Sequence, residues 1–290
     1  MTAQYAAAAG LVARSAAAFV SGVPETPADD GFFGPGSVTW RVSTDLSSPV
    51  AGLRSLMMQA LHPLAMAGVD QHSDWRQDPA GRLAATSAYV TTVSFGDRAT
   101  ARAAAGRVRM IHEHVRGTDP VTGQDYAAGD PALLLWVHAA LVDSALVAAD
   151  QIGTPLSAAD ADSYVAEMVT AAELVGVDRD MVPASATALR AYIDCVRPVL
   201  RATPAATESM SYLLKPAGLD ADIADLWQDI GGAAVALLPA WAREAYGYTA
   251  TPTGRTEIRQ VLGVLDTIFL GEPGVLEARQ RIAARQRAAE

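Results

Sequence analysis

Asp130–Gly153 reads DPALLLWVHAALVDSALVAADQIG. Asp130 is a good helix cap, and Pro131 fits the first helical position, where its missing N–H costs nothing. From Leu133-Leu134-Leu135-Trp136-Val137-His138 to Ile152-Gly153 the stretch is apolar on nearly every side, with His138 and Asp143 as its polar members. A helix of that kind must be covered all round, so it belongs in the middle of a helical bundle.

The rest of the composition agrees. The chain has 290 residues, enough for a full core; half are hydrophobic and only 6% aromatic. Abundant alanine with leucine and arginine favours helix. One strand candidate stands out, Ser37-Val38-Thr39-Trp40-Arg41-Val42, too short to found a sheet alone. The expected fold class is therefore all-α, a single large helical bundle over residues 1–290. Net charge is −10, which argues against nucleic-acid binding and against a polybasic membrane tether. Lys215 is the one lysine and Cys195 the one cysteine, so an intrachain disulfide and a thiolate cluster are excluded. Ala6 to Val20 is alanine-rich but broken by Arg14, a poor export signal and a poor membrane span. With no ~20-residue strongly apolar run elsewhere, the expectation is a cytoplasmic protein without an integral membrane segment.

Taken in order, Ala3 to Val20 reads as a first helix, and Gly22 to Gly36 as a glycine- and proline-rich loop. Ser48-Pro49 opens a helix that breaks at His62-Pro63, since proline expels the preceding residue from helical geometry. Asp78-Pro79 opens the next, which ends near Gly96, and Asp97 caps another. Thr118 to Gly129 is a polar loop. Further helices are expected from Ser157 to Gly176, from Ser185 to about Arg201, from Pro204 to Leu214, after Gly218 as far as an interruption at Pro239, from Thr256 to Leu270, and from Pro273 onward.

The helix after Asp97 ends in Arg107-Val108-Arg109-Met110-Ile111-His112-Glu113-His114-Val115-Arg116-Gly117. Val108, Ile111 and Val115 form an apolar stripe, and His112 sits beside it. Arg109 and Arg116 lie three and four residues from His112, on neighbouring turns, and Gly117 is expected as a left-handed stop. A neutral imidazole in an apolar wall can bind haem iron, and the arginines can meet the anionic propionates. A hydrogen-bonded structural histidine is the alternative. All five histidines, His62, His72, His112, His114 and His138, fall in the first half. Phosphate-loop, H-E-x-x-H and G-x-S-x-G signatures are absent, and Glu113 is misplaced for a Glu-x-x-His diiron site.

Several segments together carry a family resemblance: Leu56-Met57-Met58-Gln59-Ala60-Leu61-His62-Pro63, Asp70-Gln71-His72-Ser73, Asp78-Pro79-Ala80-Gly81-Arg82-Leu83 with Thr86, Phe95-Gly96, Ile111-His112 with Val115-Arg116-Gly117, and Tyr126 followed by Asp130-Pro131 and Leu135-Trp136-Val137-His138. In order and spacing they resemble the MpaB-type oxygenases, which share a catalytic domain with the latex-clearing rubber oxygenases. The resemblance covers roughly residues 37 to 145, with residues 146–290 as additional helices of the same body. It implies a globin-related helical core holding haem b. His112 matches the proximal iron ligand, and Arg82 and Thr86 resemble an arginine–threonine pair on the distal side. Some members carry a lysine just before that threonine, where Ala85 stands here, and no residue here matches their distal glutamate.

The expectation is thus a haem-dependent oxidoreductase, oxygenase or peroxidase-like, using dioxygen or peroxide on an apolar small molecule. His112 would hold the iron, with His138 the runner-up ligand; Arg109 and Arg116 would bind the propionates; Arg82 and Thr86 would stabilise developing negative charge. Two alternatives are a non-enzymatic helical protein binding a lipid or terpenoid, and a haem sensor or carrier.

Overall fold

The computed structural model describes residues 3–215, 221–248 and 254–290, with side chains described from residue 12 onward except at 221 and 222. Fourteen α-helices form among the described residues, together with one small hairpin, so the all-α expectation holds. In chain order they are α1 (Ala3–Gly22), α2 (Val38–Ser43), α3 (Ser48–Ala60), α4 (Pro63–His72), α5 (Pro79–Phe95), α6 (Arg98–His114), α7 (Pro131–Gln151), α8 (Ala158–Val175), α9 (Ala186–Val196), α10 (Pro204–Leu214), α11 (Ala221–Ala236), α12 (Ala240–Tyr246), α13 (Arg255–Leu270) and α14 (Val275–Ala289). The hairpin pairs β1 (Arg116–Thr118) antiparallel with β2 (Asp125–Ala127), β1 beginning two residues before the stretch expected as a polar loop and β2 lying within it.

Local chemistry explains most boundaries. The Asp78, Asp97 and Asp130 carboxylates accept the Gly81, Thr100 and Ala132 amides at the starts of α5, α6 and α7. His62 is extended (φ −83°, ψ 113°), and Pro63 begins α4. Gly176 ends α8 in the left-handed conformation. The helix expected after Gly218 is present from Ala221, and Gly218 itself lies outside the described residues.

Two local expectations are corrected. Ser37–Val42 is not a strand. Ser37 Oγ accepts the Trp40 amide at 3.1 Å, and the Glu167 carboxylate of α8 accepts the Val38 and Thr39 amides at 3.2 and 2.8 Å. A distant carboxylate thus satisfies the orphan donors of α2 and offsets the weak helix propensity of its β-branched residues. Gly117 is not a left-handed stop either: α6 ends at His114, Val115 is its cap at φ −89°, and Gly117 is paired with Tyr126 in the hairpin.

α7 lies where its composition places it, against α3, α4, α8 and α9. Trp136, Ala139, Ala140 and Val142 are fully enclosed. It is long and apolar enough to cross a membrane by length and composition, but most of it is buried within this body. At the centre, Arg54 of α3 is 3% exposed and every arm of its guanidinium is engaged. Nε donates to the Leu237 carbonyl at 2.9 Å, one terminal nitrogen donates to Ser144 Oγ at 2.7 Å, and the other meets the Asp143 carboxylate at 2.8 Å. One residue so ties α3, α7 and the chain following α11. Around this centre α5 packs against α1 and α6, and α10 against α3 and α4.

Candidate active site

α3, α4, α5, α6, α7, α10 and the hairpin enclose a cavity of about 320 Å³. Its wall is mainly aliphatic, from Leu56, Leu64, Val69, Leu83, Val115, Leu133, Leu134 and Leu213. Ile111 and Val137, 59% and 38% exposed, also line it, so part of the molecule's exposed apolar surface borders this cavity. Into the same wall come Arg82 and Thr86 from α5 and His112 from α6. The structure therefore gathers three residues that the sequence places on two successive helices.

The His112 ring is held by its helix at the edge of the apolar stripe. Its Nδ1 is buried and has no hydrogen-bond partner. Desolvation lowers its pKa, which keeps the imidazole neutral and its lone pair free at neutral pH. Arg82 has no acidic partner among the described residues. Asp78, one turn earlier, instead binds Arg14 at 2.6 Å and the Gly81 amide at 3.0 Å. Desolvation alone lowers the Arg82 pKa, although the residue keeps an exposed surface at the cavity border. A guanidinium remains charged under such conditions, so this wall carries a cation without a counter-ion. The Thr86 hydroxyl donates to the Arg82 carbonyl at 3.1 Å.

The hairpin fixes the far end of α6. Tyr126 Oη donates to Gln71 Oε1 at 2.9 Å, Gln71 Nε2 donates to the Thr118 carbonyl at 3.1 Å, and His72 Nε2 meets the Arg116 carbonyl at 3.0 Å. A Cβ on Gly117 would come within 2.8 Å of both Gln71 Oε1 and Tyr126 Oη. Close approach, not a left-handed turn, is what requires glycine there. Tyr126 and His72 both reach the cavity wall, so α4 and the hairpin close one side of it.

Arg109, Arg116 and His138 are not brought to this wall. Arg109 is exposed and donates to the Leu174 carbonyl at the end of α8. Arg116 leaves the helix with β1, and its Nε donates to the Glu113 carbonyl at 3.1 Å. His138 is 9% exposed within the core, and burial pushes its pKa down to about 4. His114 is exposed, with Nδ1 against the Met110 carbonyl at 2.8 Å, and His62 lies beside Trp136 with ring centroids 6.4 Å apart. Among the described residues no group of three or more His, Cys, Asp or Glu is gathered closely enough to hold a metal ion. An iron held here would rest on one imidazole and a macrocycle. The residues present fit such a group: a neutral, unpartnered imidazole in a mainly aliphatic wall is a donor for iron in a planar apolar cofactor.

A second, larger cavity of about 590 Å³ adjoins the first. The two share Leu56, Gln59, Leu83 and Thr86 as a common wall. Sequence reading passed over Gln59 and Leu56 as members of an apolar helix, and Tyr212 and Ser209 carry no local signal for a site.

Residues 40–267 match the family described as ER-bound oxygenase mpaB/B′/rubber oxygenase, catalytic domain. No curated protein and no solved structure matches the chain.

Proposed function

The chain belongs to this mpaB/rubber oxygenase catalytic-domain family, and on that footing we propose that it is a haem b-dependent oxygenase acting on an apolar small molecule. Bound haem would supply an iron centre able to activate dioxygen or peroxide. The observation that carries the reading is the buried, unpartnered Nδ1 of His112 on the wall of the cavity that also presents Arg82 and Thr86.

Each residue has a task that its surroundings suit. His112 would offer a neutral nitrogen to the iron, because desolvation disfavours its protonated form. Arg82 would place a positive charge beside reacting oxygen, and no carboxylate among the described residues neutralises it beforehand. Thr86 can turn its hydroxyl from the Arg82 carbonyl and donate into the cavity. The aliphatic wall excludes water and receives apolar substrate.

The test is a haem titration of the purified protein, followed by measurement of dioxygen or peroxide consumption with neutral apolar substrates. The reading expects one haem per chain and consumption that depends on it. Haem binding without consumption would make the protein a carrier or sensor, and absence of haem binding would leave an apolar-ligand protein.

A further inference from the structure

α3 is a core helix with one accessible stripe. Val50, Ala51, Leu53, Arg54, Ser55, Met57, Met58 and Ala60 are buried, whereas Pro49, Gly52, Leu56 and Gln59 are not. These four recur at helical spacing, and all four line the larger cavity. Across it, α5 contributes Leu83, Ser87, Val90 and Ser94, again one stripe. Leu83 stands with Leu56 and Gln59 on the wall shared with the smaller cavity, while Ser94 lies at the other end, its hydroxyl 3.4 Å from that of Ser43. The two helices thus run in opposite directions along a slot. From Pro49 to Gln59 it spans about 15 Å, at 1.5 Å per helical residue.

Gly52 stands one turn in from the Pro49 end of this slot. A Cβ built there meets nothing within 4 Å. No close approach and no left-handed backbone requires glycine at this position. A glycine inside a helix is unfavourable relative to alanine, so its positive effect here is the space it leaves. The slot's few charges are each held by the protein, and none is a free cation. Asp45 accepts from the Ser47 amide and hydroxyl and from the Thr154 amide, and Asp266 is paired bidentately with Arg279. No other ionisable Asp, Glu, His, Lys or Arg side chain lines it among the described residues.

We propose that the α3–α5 slot is a binding site for the uncharged, elongated body of the substrate, and that Gly52 is the residue that sets its width. The shared wall of Leu56, Gln59, Leu83 and Thr86 then admits one end of the molecule to the cavity of His112. This extends the oxygenase reading above, but the slot's occupancy is tested without haem.

The probe is 1,6-diphenyl-1,3,5-hexatriene, a neutral rod that fluoresces in apolar surroundings, compared with its propionic acid derivative, which carries a carboxylate. The full-length protein should bind the neutral rod to saturation near one per chain and the anionic form more weakly. Gly52→Phe should weaken neutral-rod binding by roughly tenfold to a hundredfold, the scale of overfilling a packed space. Gly52→Leu should fall between Phe and wild type, and Gly52→Ala should bind with unchanged or raised Tm; this graded series separates filling of the slot from misfolding. Ala145→Phe, which fills the slot from α7, should act like Gly52→Phe. Unchanged binding in Gly52→Phe and Gly52→Leu overturns the proposal, as does tighter binding of the anionic probe. The haem reading stands or falls on His112 variants, and its failure would leave the probe titration intact.

Discussion

Thr86 Oγ1 donates to the Arg82 carbonyl at 3.1 Å, one turn back along α5, while both side chains border the cavity that holds the His112 ring. The hydroxyl therefore has an intrahelical partner at rest and stands where it can turn to a ligand in the cavity. Thr86→Val keeps the shape and removes the donor. Its stability should stay within about 0.5 kcal/mol of wild type, because a back-bond of this kind adds little to a helix. Turnover should fall about tenfold, the worth of one hydrogen bond made in the transition state. Thermal unfolding and oxygen-uptake rates measured side by side check this; an unchanged rate would confine the hydroxyl to its helix.

Arg82→Met removes the cation that the wall presents. With no acid left unpaired by the change, the fold should tolerate it. Oxygen uptake should drop by roughly a hundredfold to a thousandfold, as for loss of a preorganised charge stabiliser, with haem stoichiometry unchanged. Steady-state kinetics on haem-loaded protein provide the readout.

Arg54 and Asp143 make the opposite kind of pair: the guanidinium is buried with every nitrogen engaged, and the carboxylate is only 15% exposed. Arg54→Ala strands the Asp143 carboxylate in the core and should cost about 3–5 kcal/mol, whereas Arg54→Met with Asp143→Leu should recover most of that loss. Urea midpoints of the single and double variants decide the matter.

The stability of the protein should also depend on pH through its core histidine. His138 titrates near 4 in the folded chain against 6.5 for an exposed histidine, because burial disfavours the imidazolium. Above pH 6.5 neither state holds the proton and the group has no effect. As pH falls from 6.5 to about 4, the unfolded chain takes up the proton and the folded chain does not, so stability declines, by ~3 kcal/mol in all. Desolvation lowers the His62 and His112 pKa in the same sense. A pH series of urea midpoints should show this decline, and His138→Asn should flatten it.

What was legible in the sequence was local. Asp-Pro pairs and single aspartates announce helix starts because cap and first turn lie within four residues, and the all-round apolar α7 announces a core. The pairing of Arg82 and Thr86 with His112 was legible through their resemblance to a known pattern. What failed depended on distant partners. α2 exists as a helix because Glu167, over a hundred residues away, caps it. Arg109 does precede His112 by three residues on α6, with its guanidinium on the Leu174 carbonyl, whereas α6 stops at His114 and Arg116 passes into the hairpin. The cavities were illegible, since several elements distant in sequence build each wall. Gly52 gave one faint signal, a glycine where alanine would make a better helix.

The most direct measurement is an absorption spectrum of the protein purified with haem supply, beside His112→Ala and His138→Ala. The account predicts a Soret band in the wild type, its loss or displacement in His112→Ala, and its retention in His138→Ala. A band unchanged in His112→Ala would contradict the assignment of the iron to this residue, and absence of a band from the wild type would contradict haem itself.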